Sequence, residues 1–246
     1  MGKTMNAFAS FLGVVLVPLS ALAGPDAGPP AALGSARIAS PEALIASGRE
    51  AVRKMGTYRA RLVKTERIKG EVLPAQTIDI LVRPSPRAVR MEFVAGAKSG
   101  RRVLWRENNR PNEILVREGG ILGITSLWLD TSKGLPARAG TNHAVSDIGF
   151  AYLFDIMERD LAKGKSQGSY GWKDLGLDPN GLYRIEWIAP QGARGLYAQR
   201  TRLGIDPKLH VPVDIEVFDA QGLLERYQYT NVHIQQAPKP SDFEDL

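Results

Sequence analysis

The segments Tyr58-Arg59-Ala60-Arg61-Leu62 and Thr77-Ile78-Asp79-Ile80-Leu81-Val82 decide the fold. In the first, Tyr58, Ala60 and Leu62 alternate with two arginines; in the second, Ile78, Ile80 and Val82 alternate with Thr77, Asp79 and Leu81. A period of two places alternate side chains on opposite faces of an extended strand. Lys69-Gly70 suits a turn between the two runs, and Pro84-Ser85-Pro86 ends the second. The pattern then repeats through Val89, Met91 and Phe93, through Val103 and Trp105 opposite Leu104 and Arg106, and through Ile114 and Val116. A weaker strand follows over 124–129. Turns are marked by Gly96 and Gly100, by Asn108-Asn109-Arg110-Pro111 and by Gly119-Gly120. Short strands in succession predict an antiparallel meander with one apolar face, which must be covered.

The cover is expected from two helices. Ser40-Pro41-Glu42 combines a hydroxyl N-cap, a first-turn proline and an acid that suits the helix dipole. Leu44, Ile45, Gly48, Val52 and Met55 then recur at helical spacing, and Gly56 ends the run. Ser146-Asp147 opens a second helix with Phe150, Leu153, Phe154, Met157 and Leu161 on one stripe, closed by Gly164. Trp172 and Asp178-Pro179-Asn180-Gly181 read as a connecting loop, followed by strands over 182–188, 197–205, 211–218 and 223–234. The fold class predicted is α+β: a curved antiparallel sheet covered by helices, one domain over residues 41–246.

Upstream of that domain the chain reads as an address. Lys3 precedes an apolar run from Ala7 to Val17, Pro18 breaks it, and Ala21-Leu22-Ala23 has the small-x-small pattern of a cleavage site. Residues 1–23 are therefore expected to be a signal peptide, with an uncleaved anchor as the alternative, and 24–40 a Gly/Pro/Ala-rich leader. A periplasmic location follows as an expectation. The 246 residues contain no cysteine, which excludes disulfides, thiolate metal sites and a cysteine nucleophile. Charge is uneven. Residues 53–117 hold 16 Lys/Arg against 6 Asp/Glu, while 24–52 and 118–246 together hold 15 against 20. Export argues against nucleic acid as a partner, so the basic strands suggest lipid headgroups, a membrane surface or an acidic envelope protein. A solvated outer sheet face accounts for them equally well.

Catalytic and cofactor motifs are missing: no phosphate loop, no G-x-S-x-G turn, no Ser-x-x-Lys and no histidine pair at metal spacing. No catalytic residue, metal or cofactor is expected. His143 reads as a surface or capping histidine, since as a base it would have only Asp147 near it in sequence. His210 and His233 read as structural, Asp178 and Asn180 as a plain turn rather than calcium ligands, and 242–245 as a solvated tail around one packing residue, Phe243. What remains is the sheet. Leu62, Ile80, Met91, Phe93, Trp105, Tyr183 and Trp187 are candidates for the wall of an apolar cavity, with Phe150 and Phe154 as lid or plug. The same residues would serve a dry core, and periodicity does not separate the two.

Two stretches also resemble known families. The first is residues 58–67 with Pro74, Val82-Arg83-Pro84 and Gly100-Arg101-Arg102-Val103-Leu104-Trp105. The second is Ile205-Asp206-Pro207, Val211-Pro212-Val213, Glu216-Val217-Phe218-Asp219 and residues 222–229. Together with the opening helix they resemble a family of uncharacterised exported bacterial proteins. The second stretch is also similar to LolA-type periplasmic lipoprotein carriers and their relatives, including lipoprotein-sensing regulators of envelope stress. The likeness spans residues 42–246. It implies an incomplete β-barrel wrapped over helices, with a hydrophobic cavity for lipid or lipoprotein acyl chains. No family residue can be matched individually. Arg59, Arg61, Arg83 and Arg90 are expected as headgroup or partner contacts, and a monomer is expected. The alternative function is an envelope sensor or scaffold that binds an acidic protein through these strands.

Overall fold

The computed structural model describes residues 40–120, 123, 125–131, 141–235 and 238–246. The expected signal peptide, the leader apart from Ser40, and Ile124 at the start of the 124–129 strand lie outside them. Helix α1 (Pro41–Met55) begins as its sequence requires: the Ser40 side chain accepts the Ala43 N–H at 3.2 Å, with Pro41 in the first turn. Its stripe Leu44, Ile45, Gly48, Val52 and Met55 is buried.

The strands follow as β1 (Tyr58–Ile68), β2 (Glu71–Val72), β3 (Gln76–Pro84), β4 (Arg87–Ala95), β5 (Arg102–Arg106), β6 (Glu113–Arg117) and β7 (Ser126–Asp130). Helix α2 (Phe150–Lys165) comes next, then β8 (Gly171–Leu177), β9 (Tyr183–Ile188), β10 (Arg200–Asp206), β11 (Val211–Asp219) and β12 (Gly222–Ile234). All pairings are antiparallel, in the order β7-β6-β5-β4-β3-β1-β12-β11-β10-β9-β8, with β2 folded back on β1. The path does not close: β7 and β8 are edges. The architecture is the expected curved, incomplete barrel with helices.

β8 departs from the sequence reading, which had Trp172 in a loop. Leu175 and Leu177 are exposed on this edge strand, so no apolar alternation marks it. The acidic tail departs only in part: Phe243 packs as expected, and Leu246 packs with it. Phe243 and Leu246 are buried with Leu81, Ala88, Leu104 and Leu115 in a small cluster apart from the main core, so the tail docks.

Two contacts fix the helices. At Gly48, an added Cβ would lie 1.9 Å from Cζ of Phe154, so α1 and α2 touch where α1 has no side chain. At the other helix, the Tyr58 hydroxyl accepts the Phe150 N–H at 3.0 Å, satisfying one of the donors that a helix start leaves free. The two rings stack with centroids 5.0 Å apart. The preceding Gly149 has φ +110, and a Cβ there would press on Tyr58 as well. Arg49 of α1 reaches Asp155 at 2.8 Å and Glu158 at 2.6 Å on α2. No described helix is long and apolar enough to cross a membrane.

Candidate functional site

Sheet register sets the site. Trp187 pairs with Thr201, Thr201 with Val217, and Val217 with Glu225, so four strands present one lateral row. All four residues line a cavity of about 90 Å³ beneath α2. A water needs about 10–15 Å³ by this measure, so there is room for several waters or a short apolar segment. Leu153, Ile156 and Met157 of α2 face Ile215 and Val217 across it. Trp187 closes one end, with Tyr170 edge-on at 5.2 Å. The indole N–H of Trp187 has no acceptor among the described residues.

The other end is polar. Glu225 is 1% exposed. Its Oε2 accepts the Tyr197 hydroxyl and lies 3.1 Å from Nε2 of His143, which in turn is 2.6 Å from the Tyr197 oxygen. Nδ1 of His143 is 3.8 Å from Asp147. Burial disfavours the imidazolium, but hydrogen bonds and charge from Asp147 and Glu225 outweigh it and raise the His143 pKa to about 9. Burial likewise disfavours the Glu225 carboxylate, and His143 and Tyr197 reverse that, holding its pKa below the usual value. Burial and the nearby Glu225 carboxylate push the Tyr197 phenol far upward. At neutral pH the group is an imidazolium between two carboxylates with a neutral tyrosine. The Tyr197 phenol stays protonated and offers no ionised nucleophile.

A second buried polar set lies alongside, since Glu66 is the cross-strand partner of Glu225. Lys64 Nζ sits 2.8 Å from Glu66 and donates to Thr141 at 2.9 Å, while the Tyr227 hydroxyl donates to Glu66 at 2.5 Å. Buried charges are tolerable because each is paired and hydrogen-bonded.

His143 is therefore not a surface or capping residue: its side chain is 11% exposed and tied to β12. Its partner Glu225 lies 82 residues away, beyond the reach of local spacing. The signal for this end was present in strand phase. Lys64 and Glu66 continue the inward set of Tyr58, Ala60 and Leu62, and Glu225 shares its face with Tyr227 and Tyr229.

Of the nine expected wall residues, Trp187 lines the cavity. Leu62, Ile80, Met91, Phe93, Trp105, Phe150, Phe154 and Tyr183 are all buried in the main core. The four arginines lie elsewhere. Arg61 makes a two-point pair with Asp79, at 2.7 and 2.9 Å. Arg59 reaches Gln235 and Asp242, Arg90 donates to the Asp242 and Asp245 carbonyls, and Arg83 stacks 4.8 Å over Phe243. Asp178 accepts the Asn180 and Leu182 N–H groups and the Arg184 side chain, which is a braced turn.

A model of one protein family covers residues 55–245. The chain belongs to the DUF1571 family. The family is described as a protein of unknown function. No curated protein matches the chain. Among solved structures, this DUF1571 chain is similar to an outer membrane lipoprotein-sorting protein domain from Vibrio parahaemolyticus, with 12% identity, 83% of this chain and 97% of that one covered, and TM-score 0.42. It is also similar to the lipoprotein LppX of Mycobacterium tuberculosis, with 15% identity, 81% and 99% covered, and TM-score 0.44. A LolA superfamily protein from Nitrosomonas europaea aligns at 11% identity, with 84% and 98% covered and TM-score 0.38.

Proposed function

We propose that this protein is a periplasmic binding or carrier protein that takes a lipid or lipoprotein acyl chain beneath α2 and does no chemistry on it. The observation that carries the reading is the cavity itself, with apolar walls from α2 and β11, an aromatic end and a hydrogen-bonded polar end. An acyl chain needs only apolar surface, since each buried methylene contributes about 0.8 kcal/mol. At about 90 Å³ the cavity accepts a short stretch of chain, so a longer tail requires α2 to lift away from the sheet. Leu153, Ile156 and Met157 meet the sheet through non-directional contacts that suit such movement, which must also break the directional ties of α2, from the Phe150 N–H to Tyr58 and from the Tyr197 N–H to Asp160.

Native mass spectrometry of the protein purified from its own envelope tests this, together with titration of an acylated peptide. The expected result is a co-purifying lipid and saturable peptide binding that Met157→Trp, which fills the cavity, removes. A ligand-free protein that binds no acylated peptide ends the proposal.

A further inference from the structure

Glu225 is 1% exposed and lines the cavity, yet only its Oε2 is engaged by Tyr197 and His143. Its Oε1 is buried and makes no hydrogen bond of ordinary geometry among the described residues, although the Asn142 amide is near enough to help keep the carboxylate ionised. A buried acceptor left open costs stability unless something donates to it. The charge around it has one sign in excess: among the described residues Asp147, Asp160 and Glu225 line the cavity against His143 as the one lining cation. Arg87 and Arg159 stand just outside, Arg87 donating to the Ser146 carbonyl and Arg159 at 4.0 Å from Asp160. Lys64 is matched by Glu66.

Resting on the carrier reading, we propose that the guest is a single-chain amphiphile whose head group donates hydrogen bonds and bears no negative charge, an ammonium ahead of a hydroxyl. The head lies at Glu225, and the tail runs along the row through Val217 and Thr201 toward Trp187. Three strand spacings separate the ends of that row, about 14 Å, but at about 90 Å³ the space takes only part of an eight-carbon chain, and the rest enters as α2 lifts. A carboxylate or phosphate head would place like charge beside Glu225 and leave its open oxygen without a donor.

The test is calorimetric titration of the full chain at neutral pH with octylamine, octanol and octanoate. The expected order is octylamine, octanol, octanoate, with about tenfold or more between first and last, the size of one charge-assisted hydrogen bond. Glu225→Gln should bring octylamine and octanol close together while Met157→Trp weakens all three. Circular dichroism verifies that each variant is folded. If Glu225→Gln does not fold, the wild-type ranking decides alone. Octanoate binding as tightly as octylamine overturns the head-group inference and leaves the carrier reading standing. Binding of none of the three removes the head-group inference, and the acylated-peptide titration then decides the carrier reading by itself.

Discussion

Between β3 and β5 the inward face of the sheet is filled by Ile78, Ile80, Met91, Phe93, Val103 and Trp105, each no more than 7% exposed. Across β9 to β12 the same face of the same sheet carries Trp187, Thr201, Val217 and Glu225 in one row, with room above it. Both halves obey period-two alternation. They differ in what the inward phase holds. Apart from Gln76 at the start of β3, the inward phase of the first half is apolar, and its side chains are buried as in an ordinary core. The second admits a carboxylate, a threonine and three tyrosines, and each such group must find a partner or lose stability. The unfilled space lies on the side where directional partners, rather than shape alone, hold the neighbours in place.

The largest expected effect belongs to the contact that both halves share. Phe154 is fully buried, and its ring meets the backbone of α1 at Gly48. Phe154→Ala should destabilise by about 3–5 kcal/mol in denaturant unfolding, through lost burial plus a cavity that the rigid helix pair cannot close. A loss under about 1 kcal/mol would mean that α2 is already free to collapse onto α1, and that the two helices are not one unit.

Next is the pH dependence of the polar half. The His143 pKa rises from 6.5 to about 9 on folding, so the folded state binds the proton more tightly. Its stabilisation is complete below pH 6.5 and is lost as the pH climbs through about 9. At 1.36 kcal/mol per unit the ceiling is about 3 kcal/mol. Asp147 and Glu225 act oppositely: their depressed values supply stability at neutral pH that disappears on acidification. Chemical denaturation across pH 6 to 10 should show the alkaline decline, and His143→Gln should flatten it. A decline that survives the substitution would assign it to another group.

Much of this architecture is legible in the sequence. Ser40-Pro41, the inward sets of β1, β3 and β4, and the α2 stripe each follow from local rules that tertiary packing then reinforces. The edge strand β8 is not legible, because a strand with Leu175 and Leu177 exposed has no buried phase to reveal it. The polar end is half legible. Lys64 and Glu66 stand in the inward phase of β1, but a charged pair there reads as the end of a strand unless its partners are known. Those partners, Tyr227 and Thr141, lie 161 and 75 residues from Glu66. Pairing of that range depends on register, which composition and motif spacing do not encode.

A matched pair of truncations separates the halves more finely. Ile78→Ala removes a fully buried side chain from the filled half, and Met157→Ala removes one that already borders space. Both should destabilise, Ile78→Ala by about 3–4 kcal/mol and Met157→Ala by about 2 kcal/mol, since part of the second cavity exists beforehand. Equal losses in thermal and denaturant unfolding would indicate that the space beneath α2 closes when nothing occupies it.

The smallest effect is the most diagnostic for the occupant. Thr201 sits in the middle of the row, between Trp187 and Val217, and lines the cavity. Thr201→Val keeps the branched shape and exchanges a hydroxyl for a methyl, so stability should move by no more than about 0.5 kcal/mol. With the tail of a guest lying over this position, the added methyl should tighten octylamine binding by about two- to threefold. With a head group bound at Thr201 instead of Glu225, the same change would remove a hydrogen bond and weaken binding about tenfold. The sign of one conservative substitution therefore places the head at the end of the row or at its centre, and only the first agrees with the open oxygen on Glu225.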